Sequence, residues 1–188
     1  MTIGLVGEAP NDTNAIKNLL SKQYSIPNYY FYPILDHIHG SQLDNPKTKR
    51  LLRIEYEFKK PDIVIFIRDL DGTLNNNLTF ESRKQYFTTF NKVIDKKGLF
   101  LLNIFEIEAL IISDIEAFNV YFNCQLEYDV DPMNIENPKE DLKRNCPKYN
   151  ESLNPAIFSQ LAFQTVKHNC TYFNNFKNKF EKRLINFT

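Results

Sequence analysis

The residues of this chain best suited to chemistry are carboxylates, and they stand where a site would need them. Glu8 follows the apolar run Ile3-Gly4-Leu5-Val6-Gly7. Asp69 and Asp71 form an Asp-x-Asp just past the run Ile63–Ile67, with Gly72 behind them to permit a turn. Glu106 and Glu108 stand two apart after the run Leu99–Phe105. Carboxylates gathered on one rim repel one another unless a cation or a proton lies between them. Mg²⁺ (or Mn²⁺) takes oxygen ligands, keeps several waters and sits readily beside a phosphate. The spacing therefore predicts a metal held by Asp69 and Asp71, with one of Glu106 and Glu108 alongside. Glu8 is placed as general acid or base on a phosphate oxygen. Asp12 is a further candidate acid, though it suits a helix cap better, and Asp114 is expected to be structural.

Those positions presuppose particular elements. Ile3–Gly7 predicts a short buried strand, broken by Pro10 and Asn11. Asp12 or Thr13 then caps a helix running to Tyr24, with Ile16, Leu19 and Leu20 at helical spacing. Tyr29–Leu35 is aromatic and β-branched enough for a second strand. A polar loop, His37–Pro46, leads to a helix over Thr48–Lys60 that Pro61 ends. Asp62–Ile67 is the strongest strand, a continuous apolar run of the kind covered on both faces. A polar loop over Thr73–Leu78 precedes a helix, Phe80–Lys96, stopped by Gly98. Leu99–Phe105 is a fourth strand and Glu106–Phe122 a helix. The remainder, 123–188, reads as loop with two or three helices.

This β-α alternation predicts an α/β fold: a mostly parallel four-stranded sheet with helices on both faces and a helical C-terminal extension. In such sheets sites form at the carboxyl ends of the strands, which is where Glu8, Asp69, Asp71, Glu106 and Glu108 fall. The whole chain, 1–188, reads as one domain, with a core over about 1–122 and a tail over about 123–188.

Composition sets the remaining bounds. The 188 residues are 43% hydrophobic and 14% aromatic, enough to bury a core, and the net formal charge is zero. That charge is unevenly spread. Residues 98–138 hold acids and no Lys or Arg, while the stretches on either side are basic, which suits a metal site flanked by phosphate-binding surface. Lys47, Lys49, Arg50 and Arg53, with Lys177, Lys179, Lys182 and Arg183, are the candidate contacts to a nucleic-acid backbone. Cys124, Cys146 and Cys170 fit neither a zinc pattern nor a disulfide framework. With no signal peptide and no membrane-length apolar run, a cytoplasmic protein is expected. His37, His39 and His168 are expected to be solvated or packed histidines.

The strings Val6-Gly-Glu-Ala-Pro-Asn-Asp-Thr13, Asp69-Leu-Asp-Gly72 and Phe105-Glu-Ile-Glu-Ala-Leu-Ile-Ile-Ser-Asp114 resemble the TOPRIM fold. They are most similar to the small stand-alone RloB-like group and relatives of the OLD-family nucleases. The later Pro138-Lys-Glu-Asp-Leu-Lys-Arg144 and Phe176-Lys-Asn-Lys-Phe180 resemble that group's helical tail. The resemblance implies Glu8 as general acid/base, Asp69 and Asp71 as Mg²⁺ ligands, and Glu106 or Glu108 as another. It implies a nuclease acting on DNA or RNA, an ATPase partner and a role in defence against phage or foreign DNA. Here glycine precedes the first acid instead of following it, and that departure keeps a non-catalytic regulatory subunit of such a complex as an alternative. A second alternative rests on Ile65-Phe-Ile-Arg-Asp-Leu-Asp-Gly-Thr-Leu74, which resembles the first motif of haloacid-dehalogenase-type phosphatases, with Asp69 as nucleophile.

Overall fold

The structure, a computed structural model, describes residues 1–24 and 28–185. It is an α/β fold built on four parallel strands, β1 (Thr2–Val6), β2 (Tyr30–Pro33), β3 (Ile63–Asp69) and β4 (Gly98–Asn103), in the order β2-β1-β3-β4. β1 lies directly beside β3, pairing Val6 with Phe66, and β3 pairs Asp69 with Asn103 on β4. The ends of the two central strands therefore share one edge of the sheet.

Alternate residues of each strand face opposite layers. On one face Ile3, Leu5, Ile63, Ile65, Leu99 and Leu101 are buried against Ile16, Leu19 and Leu20 of helix α1 (Pro10–Gln23). On the other, Val64 and Phe66 pack with Leu52 and Tyr56 of α2 (Pro46–Lys59) and with Tyr86 and Phe90 of α3 (Asn77–Lys92). β3 is apolar from Ile63 to Ile67 because both of its faces are covered there.

The caps move several expected boundaries. Pro10 does not break the chain ahead of α1. It occupies the first helical position, where its missing N–H is harmless, behind an extended Ala9. Neither Asp12 nor Thr13 is the cap, and the Thr13 hydroxyl donates to the Ala9 carbonyl at 3.1 Å. Asn45 caps α2 through Lys47 N–H at 2.9 Å, so that helix opens at Pro46, and a 3₁₀ turn over Gly40–Asp44 occupies the preceding loop. α3 is capped by Asn76 and ends at Lys92, with Asp95 and Lys96 left-handed after it. Gly98 opens β4 rather than stopping α3, and an added Cβ there would lie 2.6 Å from Asn91 Oδ1. The stretch expected as one helix over Glu106–Phe122 is two, α4 (Ala109–Ile112) and α5 (Ile115–Phe122), broken at Asp114. The Asp114 carboxylate accepts the Ala162 N–H at 2.6 Å, pinning the break to the tail.

Among the described residues beyond 123 four α-helices follow: α6 (Pro138–Asn145), α7 (Asn154–Gln160), α8 (Phe163–Asn169) and α9 (Thr171–Ile185). They belong to the core. Phe158, Phe173, Phe176 and Phe180 join the same buried cluster as Ile3, Leu5 and α1, and Phe180 meets Tyr24 edge-on at 5.1 Å. Burying one such side chain stabilises the fold by about 1.5–3 kcal/mol. The segment read as a tail thus forms one layer of the fold.

Candidate active site

The carboxyl ends of β1 and β3 and the first turn of α1 meet at a group of acids. Glu8 stands two residues beyond the end of β1, and its carboxylate reaches across to β3. There it accepts Arg68 Nε at 2.5 Å and the Asp69 backbone N–H at 3.4 Å. Asp69, on the last residue of β3, accepts from Asn103 Nδ2 at 2.8 Å across the β3–β4 pairing. Asp12 enters from the first turn of α1, where the helix dipole favours a negative charge. Glu108, 3% exposed, comes from the turn after β4, and its Oε1 accepts from Tyr149 at 3.2 Å and Asn154 at 3.0 Å.

These acids feel one another. Burial, followed by the Glu108 and Glu8 carboxylates, pushes Asp12 from 3.8 up to about 7. Burial and then Asp12 hold Asp69 well above the usual carboxylate range, against the Asn103 hydrogen bond that lowers it. Glu108 is raised chiefly by burial, with Asn154 opposing. At neutral pH the group therefore retains protons that a cation would displace.

Two of the expected ligands are engaged by basic side chains. Asp71 takes the left-handed backbone of the turn at φ 55°, the role expected of Gly72. Its side chain is 62% exposed and accepts Arg83 Nη2 at 2.8 Å. Glu106 is held by Lys139 through Nζ at 2.9 Å and through the backbone N–H at 3.1 Å. Of the Glu106/Glu108 pair, only Glu108 joins the group.

The basic stretches also separate. Lys47, Lys49, Arg50 and Arg53 belong to α2, which begins two residues after Asp44, itself in contact with the site through Arg68. Within that stretch Arg53 is engaged by Glu57 at 2.7 Å. Lys177, Lys179, Lys182 and Arg183 belong to α9 on the opposite layer. Arg183 donates to the Lys96 carbonyl, at the end of the sheet away from the acids, and Lys177 pairs with Glu181. His37, His39 and His168 are exposed.

Sequence reasoning missed the polar frame around the acids. Arg68 is 2% exposed, with its guanidinium 4.5 Å above the Tyr86 ring. Burial works against its charge, and the Asp44 hydrogen bonds and the Glu8 carboxylate more than restore it. An arginine inside the run Ile63-Val-Ile-Phe-Ile-Arg-Asp69 was the available signal, since a buried charge demands partners. Asn103 had no such signal.

No family model matches this chain. No curated protein or solved structure matches it either. Among the described residues no helix is long and apolar enough to cross a membrane. Nor, among them, do three His, Cys, Asp or Glu side chains already converge as a metal-binding group. The donor chemistry nonetheless fits Mg²⁺ or Mn²⁺: Glu8, Asp12, Asp69 and Glu108 all offer hard oxygens. In addition the fully buried Asn103 leaves its Oδ1 without a hydrogen-bond partner at the same place.

Proposed function

We propose that this chain is a TOPRIM-like, Mg²⁺- or Mn²⁺-dependent phosphoryl-transfer protein, a nuclease acting on DNA or RNA. The observation that carries the proposal is the adjacency of β1 and β3, which brings Glu8 against Asp69, with the charges of Asp12, Glu108 and Glu8 all acting on Asp69. The ligand set in this proposal is revised from the sequence motif, with Asp12, Asp69 and Glu108 in place of the Asp69–Asp71 pair. A bound divalent ion would supply a polarised phosphate and an activated water. The protein's own part is to orient Glu8, which Arg68 Nε and the Asp69 N–H hold at the rim, so that it moves a proton at the phosphate oxygen. Lys47 and Arg50 of α2 are exposed, and exposed cations attract a sugar–phosphate backbone.

The phosphatase alternative is the less favoured, because Glu8 after β1 and Asp12 of α1 stand beside Asp69 together with Glu108, and a phosphatase nucleophile would leave Glu8 peripheral. The resemblance further suggests an ATPase partner and a defence role, which co-purification with a co-expressed ATPase would test. The direct test is cleavage of single- and double-stranded DNA and RNA with Mn²⁺, together with Mn²⁺ binding by calorimetry. Asp69→Ala and Glu8→Gln should each lose cleavage by orders of magnitude, and Asp69→Ala should also lose Mn²⁺ binding. Full cleavage by both variants would overturn the proposal.

A further inference from the structure

At the mouth of the site two guanidinium groups grip one carboxylate. Arg68 presents its two-pronged face to Asp44, with Nη1 donating to Oδ1 at 3.1 Å and Nη2 to Oδ2 at 3.2 Å. Arg83 Nη1 lies 3.8 Å from the same Oδ2. The rest of each fork is fixed from inside: Arg68 Nε is held by Glu8, Arg83 Nε donates to the Asp69 carbonyl at 2.9 Å, and Arg83 Nη2 to Asp71. We propose that Arg68 and Arg83 form a seat for a phosphodiester monoanion, which the Asp44 carboxylate fills in the free protein.

The asymmetry of exposure argues for this assignment. The arginine side chains are 2% and 15% exposed, whereas that of Asp44 is 48% exposed. The anion-binding groups are thus anchored, and the anion between them is the member free to rotate into solvent. The two-pronged guanidinium face matches phosphate as well as carboxylate. A phosphodiester and a carboxylate each carry one negative charge, so the exchange leaves the buried Arg68 paired throughout, avoiding the large penalty of a lone buried charge. The Tyr86 ring fixes the plane of the Arg68 fork. The N-terminus of the 14-residue α2, with exposed Lys47 in its first turn, adds positive potential beside it. Glu8 and Asp71 also contact these arginines and oppose an anion, but Asp44 already sustains one negative charge beside them. That this anion is the scissile phosphate rests on the nuclease proposal; the seat itself requires no metal.

The experiment is done in EDTA. Binding of inorganic phosphate and of a labelled single-stranded oligothymidylate is compared between the intact chain and Asp44→Ala. Removing the resident competitor should tighten both by about tenfold, and adding Arg83→Gln to Asp44→Ala should abolish the gain. Unchanged or weaker binding by a folded Asp44→Ala, or a gain that survives Arg83→Gln, overturns the seat. Should Asp44→Ala fail to fold, the arginine Nε–H resonances of the intact chain decide. Those of Arg68 and Arg83 should shift on titration with phosphate, and their constancy refutes the proposal. A chain that binds phosphate through these arginines but no Mn²⁺ keeps the seat and loses the nuclease.

Discussion

Replacing Asp12 by Asn should stabilise the metal-free protein above neutral pH, although it removes a charge from a helix N-terminus where charge is usually welcome. The reason lies in the crowding of Glu8, Asp69 and Glu108 around it. A carboxyl that titrates at about 7 in the fold and near 3.8 when free favours folding fully below the lower value. As pH rises the unfolded chain releases that proton first, so stability falls until the folded carboxyl has also ionised, near pH 7 and above. The full loss across that window has a ceiling of about 4 kcal/mol. Asp12 is partly exposed, so solvent screening reduces this to about 1–2 kcal/mol, and the lost helix-dipole interaction takes back about 0.3–1 kcal/mol. The net gain at pH 8, at most about 1.7 kcal/mol, corresponds to a rise in Tm of up to about 7 °C for a chain of this size. Urea and thermal unfolding in EDTA at several pH values between 4 and 8 would measure it. Wild type and variant should coincide at the acid end, where Asp12 is protonated, and diverge as pH rises. Parallel curves, or a variant less stable at pH 8, would refute the electrostatic account of the site.

Mn²⁺ at a hundredfold excess over its Kd should stabilise wild type at pH 8 by about 2.7 kcal/mol, read as a Tm rise that Asp69→Asn abolishes. Arg68→Met should cost about 3–5 kcal/mol in urea unfolding, because Glu8 and Asp44 lose the charge that holds them. Phe180→Ala should cost about 3–5 kcal/mol and leave unfolding a single transition, since the side chain belongs to the main core. Asp71→Ala should lower Mn²⁺ affinity far less than Asp69→Ala, a contrast that calorimetry measures directly.

The sheet was legible because its strands are buried. A run such as Ile63–Ile67 is apolar on both faces only if helices cover both, so alternation of strand and helix followed from composition alone. Helix ends were less legible, because they depend on which polar side chain reaches which N–H. Asn45 and Asn76 act as caps, and nothing in their spacing favours them over neighbouring Asp, Thr and Asn residues. At the site, Glu8, Asp69 and Glu108 could be placed from the strand ends. The pairing of Asp71 with Arg83 could not, nor could its left-handed backbone, which Gly72 would have accommodated more easily. The separation of the two basic stretches was equally hidden, because it depends on which layer each helix joins.

The layer made by α9 also bears on when the chain can fold. The sheet's inner face carries Ile3, Leu5, Ile63, Ile65 and Leu101, all complete once about the first hundred residues exist. Phe173, Phe176 and Phe180, which help to seal that face, lie some seventy residues further along. During synthesis the nascent sheet must therefore wait with an apolar side uncovered. Chaperones and translation speed then act on the same interval, and a slow stretch of codons between β4 and α9 would lengthen the time in which unfinished chains can stick to one another.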